Sequence, residues 1–369
     1  MDDKEYMRLA LRLAEKGCGW TAPNPMVGAV IVKDGEIIGQ GWHERYGELH
    51  AERNALKSCT ESPFGATMYV TMEPCCHYGK QPPCVDAILE AGISRVVVGS
   101  ADPNPLVSGK GLQILRAHGV EVEENVLRGE CDRLNEVFFH YIQNKTPFVV
   151  MKYAMTMDGK IAAYTGDSKW ITGEDAREHV QHQRHRYTAI MVGVGTVLAD
   201  NPMLNCRIRN GKHPIRIICD SKLRTPLDAK VILTAGEIPT ILATCCGEKE
   251  KWKPYEETGC GILQVEEEKG HVNLRQLMKK LGEQEKIDSI LLEGGGTLNW
   301  AALESGIVQK VQTYIAPKLF GGQSAKTPIE GVGVPAPSGA FFLKSSMLTK
   351  IGEDYLIESE VEQHVYRNH

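Results

Sequence analysis

No apolar run in this 369-residue sequence reaches the roughly 20 residues a helix needs to cross a bilayer. The residues after Met1 are Asp2-Asp3-Lys4-Glu5, acidic where an export signal would be basic. A large charge of either sign is also missing. The formal net charge is -5 and the pI about 6.2, which argues against a general binder of nucleic acid or of anionic membranes. The 11 cysteines are odd in number and scattered without a paired framework, so a reducing cytoplasmic setting is expected. Phosphate loops of the usual kinds are lacking too. Ser108-Gly109-Lys110-Gly111 has no Walker spacing and reads as a helix-start turn. Gly193-Val194-Gly195-Thr196-Val197-Leu198 opens like a dinucleotide loop, but the third glycine is missing and no clean βαβ frame is read around it. What is present is the composition of an ordinary globular enzyme, 42% hydrophobic and 24% charged, on a chain long enough for two domains.

Tyr6, Leu9, Ala10 and Leu13 recur at helical spacing and predict a helix from Glu5 to Lys16, stopped at Gly17. Asp34-Gly35 predicts a hairpin turn between strands at 26–32 and 36–41. Helices are expected from His50 and from Pro83, strands at 67–71 and 95–99, and a further helix at 112–118. This alternation indicates a three-layer α/β domain with a partly parallel sheet. A helix over 130–141 and the polar exit Gln143-Asn144-Lys145-Thr146-Pro147 close it, giving domains 1–145 and 146–369. The second half reads as another α/β domain. Its strands are expected at 148–153, 189–194, 215–219, 240–244 and 289–292, its helices at 174–182 and 298–303, and its tail is strand-rich from Val311.

The strongest chemical pattern is His50-Ala51-Glu52 followed by Pro74-Cys75-Cys76-His77-Tyr78-Gly79-Lys80-Gln81-Pro82-Pro83-Cys84. One imidazole and two thiolates, from His50, Cys75 and Cys84, suit a tetrahedral zinc that keeps its fourth position for water. Water on such a zinc ionises near pH 7. Glu52, two residues past the first ligand, is placed to take that proton and return it to a ring nitrogen and a departing amine. This is the H-x-E…P-C-x-x-C logic of zinc-dependent nucleobase deaminases, except that eight residues separate Cys75 from Cys84. Cys76 reads as packing.

Several polar residues fall on loops beside this expected pocket: Asn24 in Ala22-Pro23-Asn24-Pro25, His43, His77, Lys80, and Asp102 and Asn104 in Asp102-Pro103-Asn104-Pro105. Each is compatible with turn chemistry alone. Together they make a polar pocket, with Lys80 either meeting a substrate phosphate or solvated. In the second half, Ile290-Leu291-Leu292-Glu293-Gly294-Gly295-Gly296-Thr297-Leu298 runs an apolar strand into three glycines and a helix, a place for a dinucleotide pyrophosphate or simply a tight turn. Thr196 and Asp200 are loop candidates for a ribose or an amide.

The order of His50-Ala51-Glu52, Pro74-Cys75, Pro83-Cys84 and Asp102-Pro103-Asn104-Pro105 resembles the deaminase domain of the bifunctional riboflavin-biosynthesis deaminase–reductases. The second half resembles their reductase domain through Lys152, Met157-Asp158-Gly159-Lys160, Gly166-Asp167-Ser168-Lys169-Trp170-Ile171-Thr172, Gly193-Val194-Gly195-Thr196, Asp200-Asn201-Pro202, Leu204, Asp220-Ser221 and Glu293-Gly294-Gly295-Gly296. The resemblance covers nearly the whole chain, and the long Cys75–Cys84 spacing is the family's own. It implies a cytidine-deaminase-like first domain that hydrolyses an amino group from 2,5-diamino-6-(5-phosphoribosylamino)pyrimidin-4(3H)-one. It implies a dihydrofolate-reductase-like second domain that uses NADPH to reduce the ribosyl group of 5-amino-6-(5-phosphoribosylamino)uracil to ribityl. It places NADPH at Ala154, Trp170, Thr196, Asp200, Ser221 and Gly295, Gly296, Thr297, Leu298, Asn299, Trp300 and Ala301. Substrate contacts fall at Ser168, Arg184, Leu204, Arg207 and Glu293, where the two guanidinium groups suit a ribose phosphate. Partners are thus small pyrimidine ribotides, not nucleic acid or membrane, and a homo-oligomer is expected.

Two other classes are weighed. A nucleic-acid deaminase would bind RNA at low salt, which the acidic pI disfavours. A non-catalytic protein with a structural zinc would supply four protein ligands, whereas this sequence supplies three and a glutamate. No proton donor for the reduction is named by the sequence.

Overall fold

Asp2 starts the first helix. Its carboxylate accepts from Glu5 N at 2.8 Å while the Glu5 carboxylate accepts from Asp2 N at 2.8 Å, a capping box that begins α1 (Asp3–Glu15) two residues before the apolar periodicity does. The computed structural model describes residues 1–104 and 108–362, so Pro105 of the second Pro-Asn-Pro loop lies outside the described residues. The chain divides into two compact units, Met1–Lys145 and Thr146–His369.

In the first unit the hairpin of β1 (Gly28–Lys33) and β2 (Glu36–Trp42) turns on Asp34 and Gly35, at φ 50° and 85°. There follow α2 (Ala51–Lys57), β3 (Thr67–Met72), α3 (Cys84–Glu90), β4 (Arg95–Ser100), α4 (Lys110–Ala117), β5 (Glu121–Glu123), α5 (Arg128–Leu134) and α6 (Glu136–Asn144). The sheet order is β2-β1-β3-β4-β5, antiparallel at β1 and parallel across β3, β4 and β5. Alternate residues feed two cores. Ile31, Met68, Val70, Val96 and Val98 pack under α2, α3 and α4, and Val30, Val32, Tyr69 and Val97 pack under α1. This is the expected three-layer α/β arrangement with a partly parallel sheet. Gly41 lets α2 lie on β2, because a Cβ there would collide with the Ala51 carbonyl and the Ala55 amide. Gly109 precedes α4 in the left-handed region at φ 75°, which glycine adopts without a Cβ penalty, at the helix-start turn read there. The helix expected over 130–141 is two helices, broken at Asn135.

The second unit contains β6 (Phe148–Thr156), α7 (Glu174–Arg186), β7 (Ala189–Gly193), α8 (Val194–Asp200), β8 (Ile215–Cys219), α9 (Lys230–Leu233), β9 (Thr240–Thr244), α10 (Lys253–Glu256), β10 (Gly261–Gln264), β11 (Glu267–Glu268), β12 (His271–Val272), α11 (Leu274–Glu283), β13 (Ser289–Leu292), α12 (Gly296–Glu304), β14 (Val308–Ala316), β15 (Leu343–Ile351) and β16 (Asp354–Val361). Its nine-stranded sheet runs β10-β9-β8-β7-β13-β6-β14-β16-β15, parallel until β14 meets β16. Central strands covered on both faces read as unbroken apolar runs. Ala189, Ile190, Met191 and Val192 are fully buried, each larger side chain contributing about 1.5–3 kcal/mol. β7 and β8 are parallel and joined through α8, so the βαβ frame not read from the sequence around Gly193 is present. Gly195 had hidden that helix. Among the described residues no helix is long and apolar enough to cross a membrane.

Candidate active sites

His50 is the N-cap of α2, and its extended backbone (φ -74°, ψ 164°) turns the ring off the helix start. Its Nδ1 lies 3.5 Å from Cys75 Sγ and 3.4 Å from Cys84 Sγ. Cys75 follows β3, and Cys84 opens α3 with its amide donating to Cys75 Sγ at 3.4 Å. All three ligand atoms lie within 4.8 Å of one another. A tetrahedral zinc with bonds of about 2.0 Å to nitrogen and about 2.3 Å to sulfur has ligand–ligand edges of about 3.5–3.8 Å, so the donor set fits that ion. Hydrogen bonds from the Cys84 thiol and then the His50 ring favour the Cys75 thiolate over burial's opposing pull. Glu52, in the first turn of α2, is 3% exposed, and burial followed by the neighbouring Cys75 raises its carboxyl above the ordinary range.

The cavity over this cluster holds about 320 Å³ and brings together Asn24, His43, His77, Lys80, Asp102 and Asn104 with His50, Glu52 and Cys75. His43 Nδ1 faces the Leu49 carbonyl at 3.0 Å and must donate to it. Burial lowers the imidazole's pKa, so Nε2 accepts from Asn24 Nδ2 at 3.2 Å and turns the Asn24 oxygen away from the ring. Burial likewise lifts Asp102 to about 6. Lys80 Nζ rests 4.0 Å from the centre of the Tyr46 ring. Glu73, passed over in the sequence, is 3% exposed and accepts from the amides of Asp102, Gly109 and Gly111 at 3.4, 2.9 and 3.1 Å. It ties Asp102 and the start of α4 to the segment between β3 and Cys75. Its only signal was a carboxylate ending an apolar strand.

In the second unit a buried charge cluster forms where β6, α7 and β13 meet. Arg184 Nε and Nη2 donate to the two Glu293 carboxylate oxygens at 2.8 and 3.0 Å, Arg184 Nη1 donates to the Asn205 carbonyl at 3.1 Å, and Lys152 Nζ lies 3.8 Å from Glu293. Burial alone would raise Glu293, but Arg184 and then Lys152 outweigh it and hold the carboxyl at about 2. Burial pulls the Lys152 ammonium below its ordinary range. A lysine directly after the apolar run Phe148 to Met151, still within the strand, was the signal for this residue, which the sequence reading quoted without a role.

The remaining second-domain candidates surround that cluster unequally. Gly295 caps α12 with open space where a Cβ would stand, and Gly195 in α8 is equally open, so both strand-to-helix turns admit close backbone approach by a phosphate-bearing group. Thr196 and the exposed Asp200 lie on α8, Ala154 on β6 and Ser221 after β8. Trp170 is 61% exposed with Arg177 stacked 4.7 Å from its ring, and Ser168 lies on the same loop. Arg207 is exposed while Arg184 is engaged by Glu293. Leu204 and Asn299 are buried at 4% and 0%, and Asn299 donates to the Pro328 carbonyl at 2.8 Å, so their side chains face the core. Trp300 packs edge-on against Phe341, while Thr297, Leu298 and Ala301 follow the turn of α12.

The chain matches the family model of the cytidine and deoxycytidylate deaminase zinc-binding region over residues 1–100 and that of the RibD C-terminal domain over residues 147–357. The riboflavin biosynthesis protein RibD of Actinobacillus pleuropneumoniae is 56% identical to it over 97% of this chain and 95% of that protein. Among solved structures, RibD of Acinetobacter baumannii superposes with a TM-score of 0.86 at 36% identity, covering 98% of this chain and 99% of that one. A diaminohydroxyphosphoribosylaminopyrimidine deaminase/5-amino-6-(5-phosphoribosylamino)uracil reductase from Thermotoga maritima gives 0.84 at 38% identity over 98% and 99%. With a zinc-binding deaminase region and a RibD reductase domain on one chain, this protein belongs to the RibD family of bifunctional riboflavin-biosynthesis deaminase–reductases.

Proposed function

We propose that the first unit releases ammonia from 2,5-diamino-6-(5-phosphoribosylamino)pyrimidin-4(3H)-one and that the second reduces the ribosyl group of the product, 5-amino-6-(5-phosphoribosylamino)uracil, to ribityl. The observation that carries this reading is the clustering of His50, Cys75 and Cys84 within 4.8 Å of one another, with His50, Cys75 and Glu52 lining one cavity. The enzyme's cofactors are zinc for the first reaction and NADPH for the second. Zinc held by His50 and the two thiolates supplies a Lewis acid that ionises water near neutral pH. Glu52 takes a proton and returns it to the ring and the departing amine, its burial keeping bulk water from competing. Asn24 presents an oxygen fixed by His43, and Asp102, whose amide Glu73 holds, and Asn104 add hydrogen-bonding groups. Lys80 meets the phosphate as a point charge.

In the second unit NADPH supplies hydride. The turns at Gly195 and Gly295 seat the cofactor's phosphates, and Glu293, ionised and aimed by Arg184, orients the ribosyl hydroxyls. Arg207 offers its exposed guanidinium to the substrate phosphate, and Lys152 is the proton-bearing group beside Glu293. Ammonia release and NADPH oxidation followed separately on the diaminopyrimidine ribotide test the order. Ammonia should appear without NADPH, and NADPH should be consumed only after deamination. Consumption of NADPH on the undeaminated ribotide contradicts the order.

Assembly into a homo-oligomer through the second unit is supported by β15, an edge strand whose Leu343, Met347 and Leu348 are 49%, 56% and 65% exposed. Sedimentation at the mass of one chain would contradict it. A reducing, cytoplasmic setting is supported by the thiol metal ligands Cys75 and Cys84, neither of them in a disulfide.

A further inference from the structure

Three residues of α6 line the deaminase cavity: Phe138, Tyr141 and Ile142. They lie beyond the matched deaminase zinc-binding region, which ends at residue 100, and before the reductase domain, which begins at 147. Phe138 and Tyr141 are 8% and 7% exposed, so their rings form a packed surface. Apolar lining also comes from Pro23, Pro25, Val27 and Met72, and α6 adds two rings and an aliphatic side chain presented by one element.

What holds α6 there is the residue that breaks the helix. Asn135, 2% exposed, interrupts the run between α5 and α6 at φ -107°, and its carboxamide pairs with both backbone groups of Met26. Its Oδ1 accepts from Met26 N at 2.8 Å and its Nδ2 donates to the Met26 carbonyl at 2.9 Å, the pairing one strand would offer another. Met26 stands between the Asn24 loop and Val27, and the Val27 carbonyl accepts from the His43 amide at 2.9 Å. Asn135 therefore joins the segment carrying Asn24 and the base of His43 to α6. α5 in turn is seated on β4, where Gly99 leaves room only for the Cys131 side chain. A single residue thus couples two parts of the lining, the segment around Asn24 and the face of α6.

We propose that α6 is the substrate-selecting wall of the deaminase pocket, against which the planar pyrimidine ring lies, and that Asn135 is the positioning residue that sets this wall and the Asn24 loop at a fixed separation. This rests on the deaminase reading above. The wall makes no bond to the reacting atoms and carries no proton. Its contribution is contact with the bound ring, so its loss raises KM and leaves kcat nearly unchanged.

The test uses zinc-loaded full-length protein and ammonia release from the diaminopyrimidine ribotide. Ile142→Ala trims the wall without touching the Met26 bracket, and KM should rise about tenfold, as removal of apolar pocket contacts does, with kcat within about twofold. Asn135→Ala removes both bonds to Met26 and should raise KM at least as far. Asn135→Asp keeps the acceptor for the Met26 amide and should fall between the two Asn135 states. Zinc content and NADPH oxidation on the deaminated ribotide should match the parent in all three. An unchanged KM in Ile142→Ala overturns the proposal. So does a parallel fall of zinc, kcat and reductase rate in the Asn135 variants with wild-type KM, which marks Asn135 as a fold residue only. Absence of ammonia from the parent protein instead overturns the deaminase reading on which the proposal stands.

Discussion

Replacing Glu52 by glutamine should cut ammonia release by about 10²–10⁴-fold, the range set by losing a positioned general acid–base. The substitution keeps size and polarity, and Glu52 is not among the three metal donors, so zinc should stay bound in equal amount. NADPH oxidation on the deaminated ribotide should be unaffected, because that chemistry belongs to residues of the second unit. The large effect follows from geometry. Glu52 is buried at 3% exposure in the cavity that His50 and Cys75 also line, so solvent cannot substitute for it. Three readouts on one variant decide the point: ammonia, zinc and NADPH. Full ammonia release in Glu52→Gln would remove the residue from the mechanism, and loss of zinc would make it a structural support instead.

The second large effect is expected at Glu293. Removing one partner of a buried ion pair costs about 3–5 kcal/mol, because the remaining charge is left uncompensated. Glu293→Gln strands the Arg184 guanidinium and the Lys152 ammonium, whose side chains are each 13% exposed. The variant should unfold in its second unit at lower denaturant and lose NADPH oxidation, while ammonia release persists wherever the chain remains folded. The parent protein should show the same pair through pH. The folded carboxyl sits at about 2, below its ordinary 4.5, so the stability it contributes is complete above about pH 4.5 and is lost as pH falls towards 2. Chemical denaturation between pH 5 and about 2.5 should therefore separate parent from variant at the upper end and bring them together at the lower. A constant gap across that window would mean that Glu293 is not held ionised by its neighbours.

Which parts of this molecule could be read from the sequence depends on how far apart the interacting residues lie. The grouping of His50, Cys75 and Cys84 beside Glu52 was legible because short motifs at helix starts carry these residues, and a motif fixes local direction. Strands such as Ile215–Cys219 and Ser289–Leu292 were legible because a strand covered on both faces must be apolar throughout. Asn135 was not, since its neighbours suit a continuous helix and the bracket to Met26 joins residues 109 apart. The helix after Gly193 was missed for the opposite reason, Gly195 lowering local helix propensity that tertiary packing restores. Lys152, Arg184 and Glu293 come from β6, the end of α7 and the end of β13, and only the sheet order brings them together. For Arg184 the sequence left a phosphate contact and an ion pair equally open, and its guanidinium is paired with Glu293.

The central claim is that one chain carries two chemically separate sites, the first of them metal-dependent. Its most direct test is to treat the holoenzyme with a zinc chelator and follow both signals, ammonia from the diaminopyrimidine ribotide and NADPH oxidation on the deaminated ribotide. The account predicts that ammonia release stops and returns with added zinc, while NADPH oxidation continues throughout. Ammonia release that survives full removal of the metal, or NADPH oxidation that stops with it, would contradict the account.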